Sequence, residues 1–292
     1  MLIRVRALIL QPAIVLLALW ILVLLSLPNT IAIVTEYLAF ALLGVIGAIF
    51  ANATGAGGGV VFIPAFDQLQ FSVAQSVATS FGIQCMGMTT GAVAWTRYWR
   101  NIDTEIDRRN WSAYVPTITL VSVTSVLGMW LVYGLNVSAP GPIKEMFAVF
   151  SIILGIAILY VSFREPQSQY RQNLEDRDFL MLPLLGLVGG AITAWLSVGV
   201  GEILAIYLIL RGFNAVAAVA AAVVVSAITV LAGVWEHLLF SPNLYWQVVL
   251  FAGPGAIVGA WLARRLACYL PVMQLKRLFA LWILAMGLGS FF

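Results

Sequence analysis

Charge is what this chain has least of. Asp, Glu, Lys and Arg make up 9% of its 292 residues, against about a quarter in an ordinary soluble domain. With 62% apolar residues and a mean hydropathy of +1.02, a water-soluble globular protein is excluded and a polytopic membrane protein is implied. Histidine is nearly absent. The single one, His237, beside Glu236, reads as an interfacial residue, so no Ser–His–Asp triad or HExxH zinc motif can be assembled. Cysteine is scarce too: Cys85 and Cys268 lie far apart with no CxxC, which excludes thiolate metal sites and thiol–disulfide chemistry. No Walker-type phosphate loop occurs. The chain therefore carries no catalytic set, no metal or cofactor site and no ATP-driven engine, and is not expected to be an enzyme. The net charge of +3 would suit a nucleic acid, but the cations are scattered between apolar stretches, where membrane topology explains them. The lipid bilayer is the expected partner and nucleic acid is not.

What is present is a series of apolar runs of spanning length: 8–27, 37–54, 72–95, 112–135, 143–162, 179–198, 214–235, 246–265 and 278–292. The first, after Arg4 and Arg6, is too long for the apolar stretch of a cleavable signal and reads as a transmembrane helix. Two further pieces, 60–66 and 203–210, would reach about 12 Å as helices, less than half of the ~30 Å hydrocarbon core. Each follows a cluster of glycine: Gly55-Ala56-Gly57-Gly58-Gly59 in the first case, Gly199-Val200-Gly201-Glu202, 144 positions later, in the second.

The cations give direction. With Arg4 and Arg6 inside, the loops containing Arg97, Arg100, Arg108 and Arg109, then Arg164, Arg171 and Arg177, then Arg211, and finally Arg264, Arg265, Lys276 and Arg277 all fall inside. Of the 15 Lys and Arg, only Lys144 falls outside. The N-terminus is thereby cytoplasmic and the C-terminus external, in a multi-pass protein.

The chain also repeats itself. Lys144-Glu145-Met146-Phe147-Ala148 with Gly155 matches Lys276-Arg277-Leu278-Phe279-Ala280 with Gly287, and Gly128 with Trp130 matches Gly259 with Trp261. Each half reads as long helix, glycine break, short piece, then three long helices, and the two halves enter from opposite faces. The expected fold is an all-α polytopic membrane protein of two inverted repeats, each with a glycine-broken helix and a half-helix, plus one extra N-terminal helix. Its parts are 1–35 (first helix and external link), 36–162 (first repeat), 163–178 (cytoplasmic linker) and 179–292 (second repeat). Inverted repeats with broken helices are a mark of secondary transporters, whose substrate sits between the breaks.

The candidate site follows. Half-helix N-termini attract anions, and Gly55, Gly57, Gly58 and Gly59, with Gly199 and Gly201, let backbone approach a ligand. Asn52, Thr54, Gln84 and Ser197 are polar groups able to donate to it. Glu202 is the one acid expected at membrane depth, a position functional by default. It has two open roles, a proton or cation carrier coupled to transport or a fixed carboxylate on a helix N-terminus. Gly-to-Gly alignment makes Gly58 its first-half counterpart. Asp67 and Arg211, at the far ends of the short pieces, read as solvated ends.

The duplicated glycine motif, with Pro64 following the first copy, resembles the TauE/SafE family of sulfite exporters over 36–292. That resemblance implies a secondary carrier for small sulfur-containing anions (sulfite, sulfoacetate, thiosulfate or related compounds) in a bacterial-type inner membrane. Its motif residues here are Gly55, Gly57, Gly58, Gly59, Pro64, Gly199 and Gly201. The second motif departs at Glu202, which favours a proton-coupled site. Other readings of the same residues are a passive anion channel, a carrier for a non-sulfur organic anion and, more remotely, a membrane enzyme or assembly factor.

Overall fold

The computed structural model describes residues 18–163, 169–269 and 272–289, in two units, 1–39 and 40–292. Every regular element among them is a helix.

In the first unit, α1 (Ala18–Ser26) and α2 (Thr30–Tyr37) are bent by 117° at a short break. The cause is local. Pro28 lacks an N–H for a helix, and Asn29 takes the left-handed conformation at φ 57°. Much of the stretch expected as a link is thus helical, while 8–17 of the expected first span lies outside the described residues.

The second unit contains α3 (Ala39–Thr54), α4 (Gly59–Gln68), α5 (Val73–Arg100), α6 (Glu105–Asn110), α7 (Tyr114–Gly134), α8 (Ile143–Ser162), α9 (Asp176–Leu196), α10 (Val200–Leu210), α11 (Ala215–Trp235), α12 (Trp246–Tyr269) and α13 (Val272–Gly289). A π turn, Glu236–Phe240, extends α11. Each remaining expected run has its helix, and the two short pieces are helices. Among the described residues, five helices are long and apolar enough to cross a membrane by length and composition. The 28-residue α5 is more polar, with Ser76, Thr79, Ser80 and Gln84 all buried.

The second glycine break folds the chain back on itself. Ser197 (φ 57°) and Gly199 (φ 146°) make the turn, and Val200 begins α10 against Gly189, midway along α9. From there α10 runs back until Arg211 meets Asp178, near the start of α9. The pair is a re-entrant hairpin, because α10 ends beside the start of α9. In the first half the Phe62 ring of α4 lies against Gly47 of α3 in the same fashion.

Helix ends give the internal register. Thr54 and Leu196 end α3 and α9, and Ser72 and Asn214 cap α5 and α11; both pairs are 142 positions apart. Val45 and Leu187 share that spacing, and each presents its carbonyl to a glycine: Gly259 of α12 abuts the Val45 carbonyl of α3 and Gly128 of α7 the Leu187 carbonyl of α9, although these two glycines are 131 positions apart. Small residues permit such close backbone approach between apolar helices. The position opposite Glu202 in this register is Val60, two residues from the Gly58 given by matching glycine to glycine.

Packing is densest around α11, whose residues from Ala218 to Ala222 are buried by neighbours that include α5, α7 and α10. At one end of this unit Asp178 is fully buried. Its carboxylate accepts from Arg211 Nε (2.8 Å), Tyr207 OH (2.6 Å) and the Glu175 N–H (2.9 Å). Arg171 and Arg211 also pair with Glu175. These guanidiniums hold the exposed Glu175 carboxyl below its usual range. Its ion pairs contribute fully above the ordinary carboxylate range and are lost as pH falls through the lowered value. Elsewhere in the unit Asp67, at the end of α4, pairs with Lys144, at the start of α8, at 3.0 Å. Asp67 and Arg211 are therefore ion-paired ends rather than simply solvated ones. His237 is buried, 8% exposed, with its ring 4.7 Å from that of Phe81.

Candidate functional site

The two glycine breaks meet. Gly201 lies against the Gly55 carbonyl, and Gly59 against the Ser197 carbonyl. Gly55 and Gly59 of one break and Ser197 and Gly201 of the other thus pack backbone to backbone, where a side chain on Gly59 or Gly201 would hold them apart.

Glu202, 2% exposed, bridges the breaks. Its Oε1 accepts from the Gly57 N–H at 2.6 Å and its Oε2 from the Gly199 N–H at 2.9 Å. Among the described residues, no basic side chain pairs with it. The carboxylate is held by amides of both clusters and by the N-terminal ends of α4 and α10, where helix dipoles favour negative charge.

Gln84 of α5 is the second bridge. Its Oε1 accepts from the Gly58 N–H at 2.8 Å, while Nε2 donates to the Ser197 carbonyl at 3.0 Å, Ser197 Oγ at 2.8 Å and Ser80 Oγ at 2.9 Å. Ser197 Oγ in turn donates to Ser80 Oγ at 2.9 Å. Two adjacent amides at the α4 entrance are thus occupied by side-chain oxygens, and a third amide, at Gly199, by the other oxygen of Glu202. The expectation of free amides gives way to amides already filled by the protein's own acceptors.

The remaining candidates divide. Thr54 works locally, donating to the Phe50 carbonyl at 2.7 Å. Asn52 donates to the Ala48 carbonyl at 2.9 Å, while its buried Oδ1 has no hydrogen-bond partner. With Gly58 and Gln84 it borders a void of about 10 Å³, room for one water. Gly55 (φ 81°) and Gly199 supply turns. Sequence reasoning missed Ser80, and also Thr193, whose Oγ1 accepts from the Val200 N–H at 3.2 Å. Ser80 lies one helical turn before Gln84, and that spacing was its only sign. A larger cleft, about 420 Å³, is lined by residues of α4, α5, α8 and α13 and by Leu196, the last residue of α9.

Gln84→Leu keeps the volume but leaves the Gly58 N–H without its acceptor and the Ser197 carbonyl without this donor. At about 1–3 kcal/mol per unpaired buried group, the loss should total about 2–4 kcal/mol. Chemical unfolding of the purified protein measures it; unchanged stability would mean that this network does not hold the breaks together.

Helices of this length and composition make a polytopic membrane protein, and two breaks meeting around an amide-bound acid suit the transporter class. A family model described as "Sulfite exporter TauE/SafE" matches residues 39–290. The chain belongs to that family, which is one of membrane transporters rather than enzymes. No curated protein and no solved structure matches it.

Proposed function

We propose that this chain is a secondary active carrier that exports a small sulfur-containing anion, such as sulfite or sulfoacetate, and that Glu202 couples the anion to a proton. It acts from the bacterial-type inner membrane with its N-terminus cytoplasmic and its C-terminus external, through two inverted halves. The observation that carries the reading is the Glu202 carboxylate on the Gly57 and Gly199 amides. Those amides suit an oxyanion, and the carboxylate occupies them as a tethered anion. An incoming anion takes the amides by displacing it. Displaced into an apolar interior with no basic partner, the carboxylate is stabilised by accepting a proton. Anion binding and proton uptake are therefore linked, and for a monovalent anion the pair moves without net charge. Asn52, Gln84 and Ser197, around the same amides, orient the bound oxyanion. The void bordered by Asn52, Gly58 and Gln84 has room for one water only, which favours a gated carrier over an open pore.

Reconstitution into liposomes tests the substrate. Labelled sulfite and sulfoacetate should enter protein-containing vesicles saturably and faster than a carboxylate of similar size. No flux of any sulfur anion would overturn the substrate assignment, and flux proportional to concentration without saturation would replace the carrier by a channel.

A further inference from the structure

The 420 Å³ cleft lies within the usual size range of small-molecule sites and belongs to neither glycine break. Its lining has two characters. Ile63, Phe71, Val77, Ile143, Phe147 and Leu196 make an apolar wall, and Asp67, Gln68, Gln70, Ser76 and Lys144 make a polar one. Lys144 is the one cation that the charge distribution assigns to the outer face. It is 56% exposed and held by Asp67 at 3.0 Å. Part of the cleft's lining is close to the breaks in sequence and in space. Leu196 precedes Ser197, and Ser76 lies one turn before Ser80, the two serines that hydrogen-bond to each other and to Gln84.

We propose that this cleft is a second, outer anion subsite, and that it takes an organic monoanion with a short apolar body, of the alkanesulfonate type. The inference rests on the carrier reading above and specifies its substrate class. The reasons are charge and shape. A lone ammonium already shared with Asp67 compensates a single negative charge, not a doubly charged oxyanion. The apolar wall offers a bare oxyanion nothing, whereas it removes from water two or three methylenes, each worth about fourfold in affinity. Asp67 is the resident competitor. An arriving sulfonate exchanges with it on Lys144 while Gln68 and Gln70 donate to the remaining oxygens.

The test is binding of 1-propanesulfonate and methanesulfonate to the full chain in lipid nanodiscs, by titration calorimetry. Propanesulfonate should bind the tighter of the two. Lys144→Gln should weaken it about fivefold and Asp67→Asn should tighten it about fivefold, the range of an exposed ion pair. The opposite signs separate the proposal from misfolding, which tightens nothing. Absence of propanesulfonate binding, or binding blind to both substitutions, or weakening by Asp67→Asn, overturns the subsite. Failure of the carrier reading looks different: no sulfur-anion flux in liposomes, with the Lys144 and Asp67 pattern of binding intact.

Discussion

Glu202→Gln should separate anion movement from proton movement. The amide keeps one oxygen acceptor but can neither ionise nor accept from both Gly57 and Gly199, which the carboxylate now does. One N–H is left open for an anion, and no proton is needed to vacate it. An unpaired buried amide costs about 1–3 kcal/mol, so anion affinity should rise by on the order of tenfold or more. The empty carrier suffers the same cost, because nothing refills the amides during the return step. Anion-for-anion exchange should therefore persist, while net uptake driven by a pH gradient falls about tenfold. The uptake that remains should become sensitive to membrane potential, since a charge now moves alone. Liposomes clamped with a potassium gradient and valinomycin measure all three. Net uptake in Glu202→Gln that still follows the pH gradient would remove Glu202 from the coupling role.

Arg211→Met should be the most damaging substitution away from the breaks. It strips the fully buried Asp178 of its closest cation and leaves the Tyr207 hydroxyl and the Glu175 N–H as its remaining close donors. Removing one partner of a buried ion pair costs about 3–5 kcal/mol. Adding Asp178→Asn should return part of that loss, because the buried charge left with Arg171 alone, at 3.8 Å, is gone. Chemical unfolding of the single and double variants decides it. A single variant as stable as the parent would mean that the α9–α10 hairpin is not fastened at this end.

Hydropathy carried most of the helical architecture into the sequence. Spanning helices must bury their own backbone polar groups in lipid, and that requirement leaves long apolar runs that cannot be mistaken. The half-helices were legible for the same reason: 60–66 and 203–210 are apolar yet too short to cross. The register of the repeat was less legible. What the two halves share is a backbone path, and in that path Gly55 and Ser197 occupy equivalent left-handed positions. A serine there is invisible to a match of glycine against glycine, which is why that match runs two residues out of step. The bend after α1 was written in Pro28-Asn29, but a charge-free run beside it reads as a simple link.

The site was legible as a neighbourhood rather than as a set of bonds. Glu202, Gln84, Ser197 and the glycines do come together, because the two breaks meet in the interior and Gln84 of α5 reaches both. The Glu202–Gly199 bond lies at the spacing of a fixed carboxylate on a helix N-terminus, but that Glu202 and Gln84 also fill the Gly57 and Gly58 amides could not be read from spacing. These bonds join residues separated by 145 and 26 positions. Ser80 and Thr193 escaped notice for a related reason. Hydroxyls in apolar helices ordinarily bond their own preceding turn, and only tertiary packing assigned these two a partner from another segment.

The central claim is that the transported anion and the Glu202 carboxylate compete for the same amides. Proton uptake on binding tests it most directly. A sulfonate such as methanesulfonate is ionised throughout the usable pH range, so any proton exchanged belongs to the protein. Calorimetric titrations in alkaline buffers of differing ionisation enthalpy count that proton. The account predicts uptake approaching about one proton per anion bound by the wild-type chain, and none by Glu202→Gln. Binding with no proton taken up in a Lys144→Gln chain, whose outer subsite lacks its cation, would contradict it.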